Sequence, residues 1–306
     1  MGATQPFDDR DGLIWYDGEL RPWREANLHV LSHGLHYASA VFEGERAYGG
    51  TIFKLTEHSE RLALSAQALG FALPCSVEDV DRACAEVIEA NNIVDGYVRP
   101  IAWRGSEMMG VSAQTTRIHL AIAAWPWPSY FSPEARMAGI RLKTASWRRP
   151  APDTAPVHAK AAGLYMICTM SKHGVEAEGY DDALMLDWRG LIAESTGANI
   201  FMVMGDGRVH TPTPDCFLNG ITRRTVIDLA RARGIEVVER QIRPEELSET
   251  SEVFITGTAA EVTPVRSIDD HGFSPGDITR ALIEDYARVT GQKNGQSIAA
   301  GAVAAA

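Results

Sequence analysis

Trp125-Pro-Trp-Pro-Ser-Tyr-Phe-Ser-Pro133 interrupts a chain of 306 residues close to its middle. Proline has no backbone N–H and a locked φ, so three prolines in nine residues continue neither a helix nor a central strand. The stretch reads as an interdomain linker over residues 125–136, and the chain length suggests about two domains at roughly 150 residues each. Trp125, Trp127, Tyr130 and Phe131 make the linker aromatic. Such a segment either packs on its own domains or forms a pocket wall at a domain interface, where ligands tend to bind; composition favours neither.

On the N-terminal side, residues 1–124 alternate strands and helices and read as a smaller α/β domain. Leu13 to Tyr16 and Tyr48 to Phe53 are short strands around Gly turns. Thr56 opens a helical stretch through Leu62, Ala66 and Leu69 that Gly70 closes, and Ser76 starts another with Val80, Ala83, Val87 and Ile88 on one face. Tyr97 to Trp103 and Ile118 to Ala124 read as buried strands. On the C-terminal side, residues 137–291 read as a larger domain with several strands and few helices. Ala183 to Leu186 and Leu191 to Glu194 flank the turn Asp187-Trp-Arg-Gly190, and Ile200 to Met204 and Arg208 to Thr211 flank Gly205-Asp-Gly207. Ile221 to Arg233 is an amphipathic helix stopped by Gly234, Ile235 to Glu239 and Val253 to Thr256 are strands, and Asp277 to Val289 is a last helix. Residues 292–306, rich in Ala, Gly, Ser and Gln, are expected to form a mobile tail.

Composition narrows the function. Apolar residues make up 45% of the chain, enough for a sizeable core. A net charge of −11 and a pI near 5.3 repel phosphate backbones, which argues against nucleic acid as a partner while leaving room for local basic pockets that take small anions. Cys75, Cys84, Cys168 and Cys216 are scattered without a C-x-x-C pair, the usage of a protein in a reducing cytoplasm rather than of a disulfide or zinc framework. Met1 to Gly12 is polar and lacks the apolar region of a signal peptide. No apolar run reaches the ~18 residues of a membrane helix. His33 and His36 lie three apart without further ligands, so no metal site is expected.

Four short stretches carry residues suited to chemistry. Lys160, in Pro156-Val-His-Ala-Lys-Ala-Ala-Gly163, has small apolar neighbours and is either an ordinary lysine or a desolvated one, which loses its charge more easily and as the neutral amine adds to a carbonyl. Leu218-Asn-Gly-Ile-Thr-Arg-Arg224 precedes a helix whose unpaired amides suit a phosphate, or it is a plain helix start with Thr222 as N-cap. Thr256-Gly-Thr-Ala-Ala260 follows a strand and is either an anion-binding turn or an ordinary tight one. Glu194 ends an apolar strand, where it is either solvated or turned inward on a cation.

Taken in order, these stretches join a longer pattern. His33-Gly-Leu-His-Tyr-Ala-Ser-Ala-Val-Phe-Glu-Gly-Glu-Arg-Ala-Tyr48 resembles the N-terminal signature of class IV aminotransferases, and branched-chain aminotransferases most of all. Glu57-His-Ser-Glu-Arg-Leu62, Gly96-Tyr-Val-Arg-Pro100, Met109-Gly-Val111, Ala159-Lys-Ala-Ala-Gly163, Glu194, Gly220-Ile-Thr-Arg223 and Gly257-Thr-Ala-Ala-Glu261 follow in the same order. The likeness runs from about Leu13 to Val289.

The resemblance implies an α/β (α+β) enzyme of fold type IV with two domains, the second built around a barrel-like sheet, and pyridoxal 5'-phosphate between them. It implies that Lys160 holds the cofactor as a Schiff base and moves the proton between the substrate Cα and the cofactor C4′. Glu194 would pair with the pyridine nitrogen, Tyr165 would hydrogen-bond the ring oxygen, and Arg61, Ile221, Thr222 and Thr258 would hold the phosphate. Tyr37, Phe42, Met109, Val111, Trp127 and Tyr130 would line an apolar side-chain pocket, some of them from a neighbouring subunit. Tyr97 with the turn at Thr258 and Ala259 would bind the α-carboxylate, and Arg99 the distal carboxylate of glutamate. The implied reaction is reversible, ping-pong transfer from leucine, isoleucine or valine to 2-oxoglutarate, by a cytoplasmic homodimer or higher homo-oligomer. D-amino-acid or (R)-amine transaminases and aminodeoxychorismate lyases share the fold and stay open, as does a cofactor-binding protein without turnover. One departure is visible: the family often has Gly-Glu-Asn where this chain has Gly197-Ala-Asn199, next to the carboxylate that Glu194 supplies.

Overall fold

The structure, a computed structural model, describes residues 5–127 and 137–291. Tyr130, Phe131 and the tail over residues 292–306 lie outside the described residues. Two compact units emerge. One holds the described residues up to Trp127 together with Ala159–Gly163, and the other holds residues 137–158 and 164–291.

The first unit is an antiparallel sheet packed on two helices. Its strands are β1 (Leu13–Tyr16), β2 (Glu19–Pro22), β3 (Ala40–Phe42), β4 (Glu45–Tyr48), β5 (Thr51–Ile52), β6 (Gly96–Arg104) and β7 (Ile118–Pro126), in the order β2-β1-β7-β6-β4-β5 with β3 also on β6. A short α1 (His33–His36) precedes β3, and α2 (Leu55–Ala68) and α3 (Val77–Ala90) cover the sheet. Ser76 and Asp79 form a reciprocal capping box at the start of α3. Leu62 and Ala66 of α2, Val80 and Val87 of α3, Val98 of β6 and Leu120 and Ile122 of β7 share one core. Each large aliphatic side chain buried there contributes about 1.5–3 kcal/mol. Trp125 and Pro126, expected in the linker, continue β7 with Pro126 opposite Gly96. Proline is tolerated there because it ends the strand, and β1, on the other side of β7, pairs only with Ala121 and Ile122.

The second unit contains β8 (Ile140–Thr144), β9 (Asp182–Leu186), β10 (Ile192–Ser195), β11 (Asn199–Met204), β12 (Val209–Pro212), β13 (Val237–Arg240), β14 (Thr250–Gly257), β15 (Glu261–Ile268) and β16 (His271–Gly272). The path β10-β9-β8-β15-β14-β11 returns on itself because β10 also pairs with β11, so six strands close into the expected barrel-like sheet. Leu142, Leu184, Ile200, Met202, Val253, Ile255 and Val265 pack together on one face of these strands. The closing pair is Glu194 on β10 opposite Asn199 on β11, and the register of β10 against β9 shifts between Ile192 and Glu194. The helices α4 (Tyr165–Glu176), α5 (Ile221–Ala232) and α6 (Asp277–Val289) accompany the sheet. Among the described residues no helix is long and apolar enough to cross a membrane, and all four cysteines are free thiols.

Candidate active site

In the first unit Lys160 is held by its backbone before its side chain does anything. Its N–H donates to Ser65 Oγ of α2 at 2.9 Å. Its carbonyl accepts from the Phe42 amide of β3 at 3.1 Å, and Ala161 bridges to Val41. The ammonium nitrogen lies 4.8 Å above the Phe42 ring. Burial pushes the amine below the ordinary lysine pKa; Glu43 and Tyr97 oppose that shift, and Arg61 and Arg99 reinforce it. A pinned lysine that gives up its proton readily can add to a carbonyl.

Arg61 on α2 meets the buried Glu43 with both ends of its fork, Nε to Oε1 at 2.7 Å and Nη2 to Oε2 at 2.8 Å. His58 shares the same carboxylate, Nδ1 to Oε2 at 2.8 Å. Burial works to raise the Glu43 pKa, yet Arg61 and His58 outweigh it and hold the carboxyl below its usual range. The guanidinium is thereby fixed as a positive group. Beside it Arg99 lies 4.8 Å over Phe42 and 5.2 Å from the Tyr97 ring, and it donates to the Tyr97 hydroxyl at 3.2 Å. Its Nε is buried with no hydrogen-bond partner, and among the described residues it has no acidic partner. A Cβ at Gly44 would come 1.9 Å from the Tyr97 hydroxyl, so a side chain there would displace Tyr97.

Not all the expected pocket residues converge. Trp127 is buried and tilted on Tyr97 at 5.7 Å. Tyr37 stacks on His33 at 4.7 Å and is exposed, and the His33 ring bonds Ser39 Oγ and the Gly110 carbonyl. Met109 and Val111 flank that glycine and are 66% and 81% exposed. Tyr130 is not among the described residues.

In the second unit Glu194 is buried. Its Oε1 lies 3.3 Å from Arg149 Nε, and its Oε2 accepts from Asn199 Nδ2 at 3.3 Å. Asn199 Nδ2 also donates to the Leu218 carbonyl at 3.0 Å, and its Oδ1 accepts the Gly220 amide at 3.2 Å. A Cβ at Gly220 would stand 2.3 Å from that Oδ1, so a side chain there would break the contact. Gly220, rather than Thr222, is the N-cap of α5, and no side chain caps the helix. The reason is a partner distant in sequence: Asn199 holds the Gly220 amide at the cap position, and Thr222 falls in the first turn, buried. The first amides of α5, at Ile221 and Thr222, are the kind of donors an anion accepts. Tyr165 opens α4 beside Cys168 and Val175. Thr258 is half-buried and Ala259 exposed in the turn from β14 to β15.

Sequence reading missed Glu43, His58 and Arg149. A buried cation for Glu194 was anticipated, and Arg149, 45 positions upstream, is a protein group that supplies one; only its place in Trp147-Arg-Arg-Pro150 could have drawn attention. Ala198, the departure from the family pattern, is buried in the apolar cluster of the barrel, while Asn199 and Arg149 both touch Glu194.

Comparison with known proteins bears on this arrangement. Residues 40–268 match the model of the family described as amino-transferase class IV. The branched-chain-amino-acid aminotransferase of Pseudomonas aeruginosa is 42% identical over 285 residues, which are 91% of this chain and 92% of that one. The crystal structure of the T.th. branched-chain amino acid aminotransferase with pyridoxamine 5'-phosphate superposes with a TM-score of 0.89 at 39% identity, covering 93% of this chain and 96% of that one. The same enzyme complexed with N-(5'-phosphopyridoxyl)-L-glutamate gives a TM-score of 0.87 at 38% identity with the same coverage.

Proposed function

This chain belongs to the class IV aminotransferases, and from that premise we propose that it transfers amino groups reversibly between branched-chain L-amino acids and 2-oxoglutarate, with pyridoxal 5'-phosphate as cofactor. The observation that carries the reading is Lys160, a buried amine with a lowered pKa, pinned by Ser65 and Phe42. The donor set fits the cofactor. An uncapped helix start at Ile221 and Thr222 suits its phosphate, and Arg61 is a permanently charged group for the same purpose. Glu194 is a buried carboxylate for a ring nitrogen. When bound, pyridoxal phosphate supplies an electron-accepting ring that stabilises charge at the substrate Cα.

The remaining roles belong to the chain. Lys160 Nζ carries the proton to and from the substrate Cα. Glu194 would hold the ring nitrogen in its protonated form, and Tyr165 and Thr258 would offer hydrogen bonds to the ring oxygen and the phosphate. Phe42 and Trp127 offer an apolar wall to a branched side chain, and Tyr97, with Ala259, the α-carboxylate site. Arg99 meets the distal carboxylate of glutamate, a reading supported by its lack of an acidic partner among the described residues and by the glutamate adduct on the T.th. enzyme. The exposure of Met109 and Val111 supports a homodimer in which a second copy covers them. Four free thiols support a reducing, cytoplasmic setting. The deciding experiment is a panel of L- and D-amino acids with 2-oxoglutarate, read by glutamate formation. Turnover with leucine, isoleucine and valine is expected; activity confined to D-amino acids or amines would overturn the substrate class.

A further inference from the structure

We infer that Asn199 is a positioning residue that couples the carboxylate of Glu194 to the helix start of α5, so that what happens at one end of the cofactor ring is felt at the other. The inference rests on the proposed cofactor and adds a link that the separate roles of Glu194, Ile221 and Thr222 do not contain.

The geometry is that of one amide spending all its main hydrogen-bonding capacity on two elements. A primary amide has two N–H donors and a carbonyl acceptor. Asn199 gives one donor to Glu194 Oε2 at 3.3 Å and the other to the Leu218 carbonyl at 3.0 Å, and its Oδ1 takes the Gly220 amide at 3.2 Å. The side chain is buried, so water does not replace these partners. Its backbone is fixed as well, since Asn199 pairs with Glu194 on one side and with Thr256 on the other, at the point where the sheet closes. Gly220 allows the contact by lacking a Cβ. The far side of the turn is held separately: Arg223 Nη1 donates to Asn219 Oδ1 at 3.0 Å, and Arg224 Nη1 to the Asn219 carbonyl at 3.0 Å. The turn ahead of α5 is thus clamped to its own helix on one side and, through Asn199, to the Glu194 carboxylate on the other.

A consequence follows for binding. A charged Glu194 receives a charge-assisted hydrogen bond and fixes the orientation of the amide. Neutralising it relaxes Asn199, loosens Gly220 and weakens the grip of the first α5 amides on a phosphate. The phosphate therefore contributes more to affinity when Glu194 is intact, a coupling that is reciprocal by linkage.

The test uses the full-length apoprotein and two probes, pyridoxal 5'-phosphate and phosphate-free pyridoxal, titrated by fluorescence quenching, which needs no turnover. The ratio of the two dissociation constants measures the phosphate contribution. In the native chain Glu194→Gln is expected to shrink that ratio by about threefold or more, in the range of neighbouring-group couplings. In an Asn199→Ala background the same substitution should leave the ratio unchanged. Asn199→Leu, which keeps the approximate shape but has neither donor nor acceptor, should likewise abolish the coupling. Far-UV circular dichroism of each apoprotein establishes that it folds. A coupling that survives in both Asn199 backgrounds, or that is absent from the native chain, overturns the inference and leaves the cofactor assignment standing. Equal affinity of the native chain for the two probes instead overturns the phosphate site at α5 itself, and the coupling with it.

Discussion

Replacing Arg99 with leucine should separate the two substrates of the proposed reaction. The guanidinium is part-buried, lies over Phe42 and Tyr97, donates to the Tyr97 hydroxyl, and faces no acid among the described residues. Removing one member of a buried, hydrogen-bonded charge pair costs about 2–5 kcal/mol, which is about 30-fold to several thousandfold at roughly 1.4 kcal/mol per decade. Arg99 retains some solvent contact, which screens the charge, so the low end, about 30- to 100-fold, is expected for glutamate and 2-oxoglutarate. Leucine presents no second carboxylate. The apolar stem of the arginine is replaced in kind, and the lost stacking on Phe42, about 0.5–2 kcal/mol, weighs on both substrates alike. The ratio of the two effects is therefore the quantity to measure. Single-turnover rates of the leucine and 2-oxoglutarate half-reactions, followed through the cofactor absorbance, should diverge by at least about tenfold in Arg99→Leu. Equal losses in the two half-reactions would show that Arg99 serves the fold or the cofactor and not the distal carboxylate.

Three other perturbations have defined outcomes. Lys160→Ala should remove the visible absorbance of the reconstituted protein and lower turnover by more than about 10³-fold; near-normal activity would mean that another group bonds the cofactor. Glu45 is fully buried beside Glu43, Asp81 and the Cys84 thiol, and burial first, then its acidic neighbours, raise its pKa well above the ordinary 4.5. A raised folded pKa contributes stability that is present below 4.5 and lost as pH rises towards the folded value. Glu45→Gln should thus raise Tm at neutral pH and not below 4.5; scanning calorimetry giving parallel pH profiles for the two proteins would refute the assignment. Light scattering should give at least a dimer, and Met109→Asp with Val111→Asp should weaken it; an active monomeric native protein would remove the need for a second copy.

Much of the fold lay in local signals. Ser76 with Asp79 announces α3, Gly234 closes α5, and the alternation through Leu120, Ile122 and Ala124 gives β7 its buried face. What failed locally was decided by partners distant in sequence. Pro126 continues β7 because no neighbour asks it for an N–H there. Thr222 does not cap α5 because Asn199, from another strand, holds the preceding glycine. The closure of the barrel rests on a pairing of Glu194 with Asn199 that hydrophobic periodicity does not encode.

The candidate site divides along the same line. Lys160, Glu194 and the glycine-led start of α5 are each ambiguous in the sequence, and it is their order along the chain, resembling that of class IV aminotransferases, that singles them out. The groups that hold them advertise nothing. Glu43 stands 18 positions before Arg61 and Arg149 stands 45 before Glu194, and each is an ordinary charged residue until folding buries it against its partner. Burial is what gives these tethers their effect. In water the Glu43–Arg61 pair would contribute little, whereas here the fully buried carboxylate would be costly to leave unpaired, and the guanidinium fork has one favourable orientation on it. The same holds for Glu194 between Arg149 and Asn199. In the proposed site the residues assigned to the ligand are of types the sequence shows, whereas the buried partners that fix their orientation become legible only once the chain is folded.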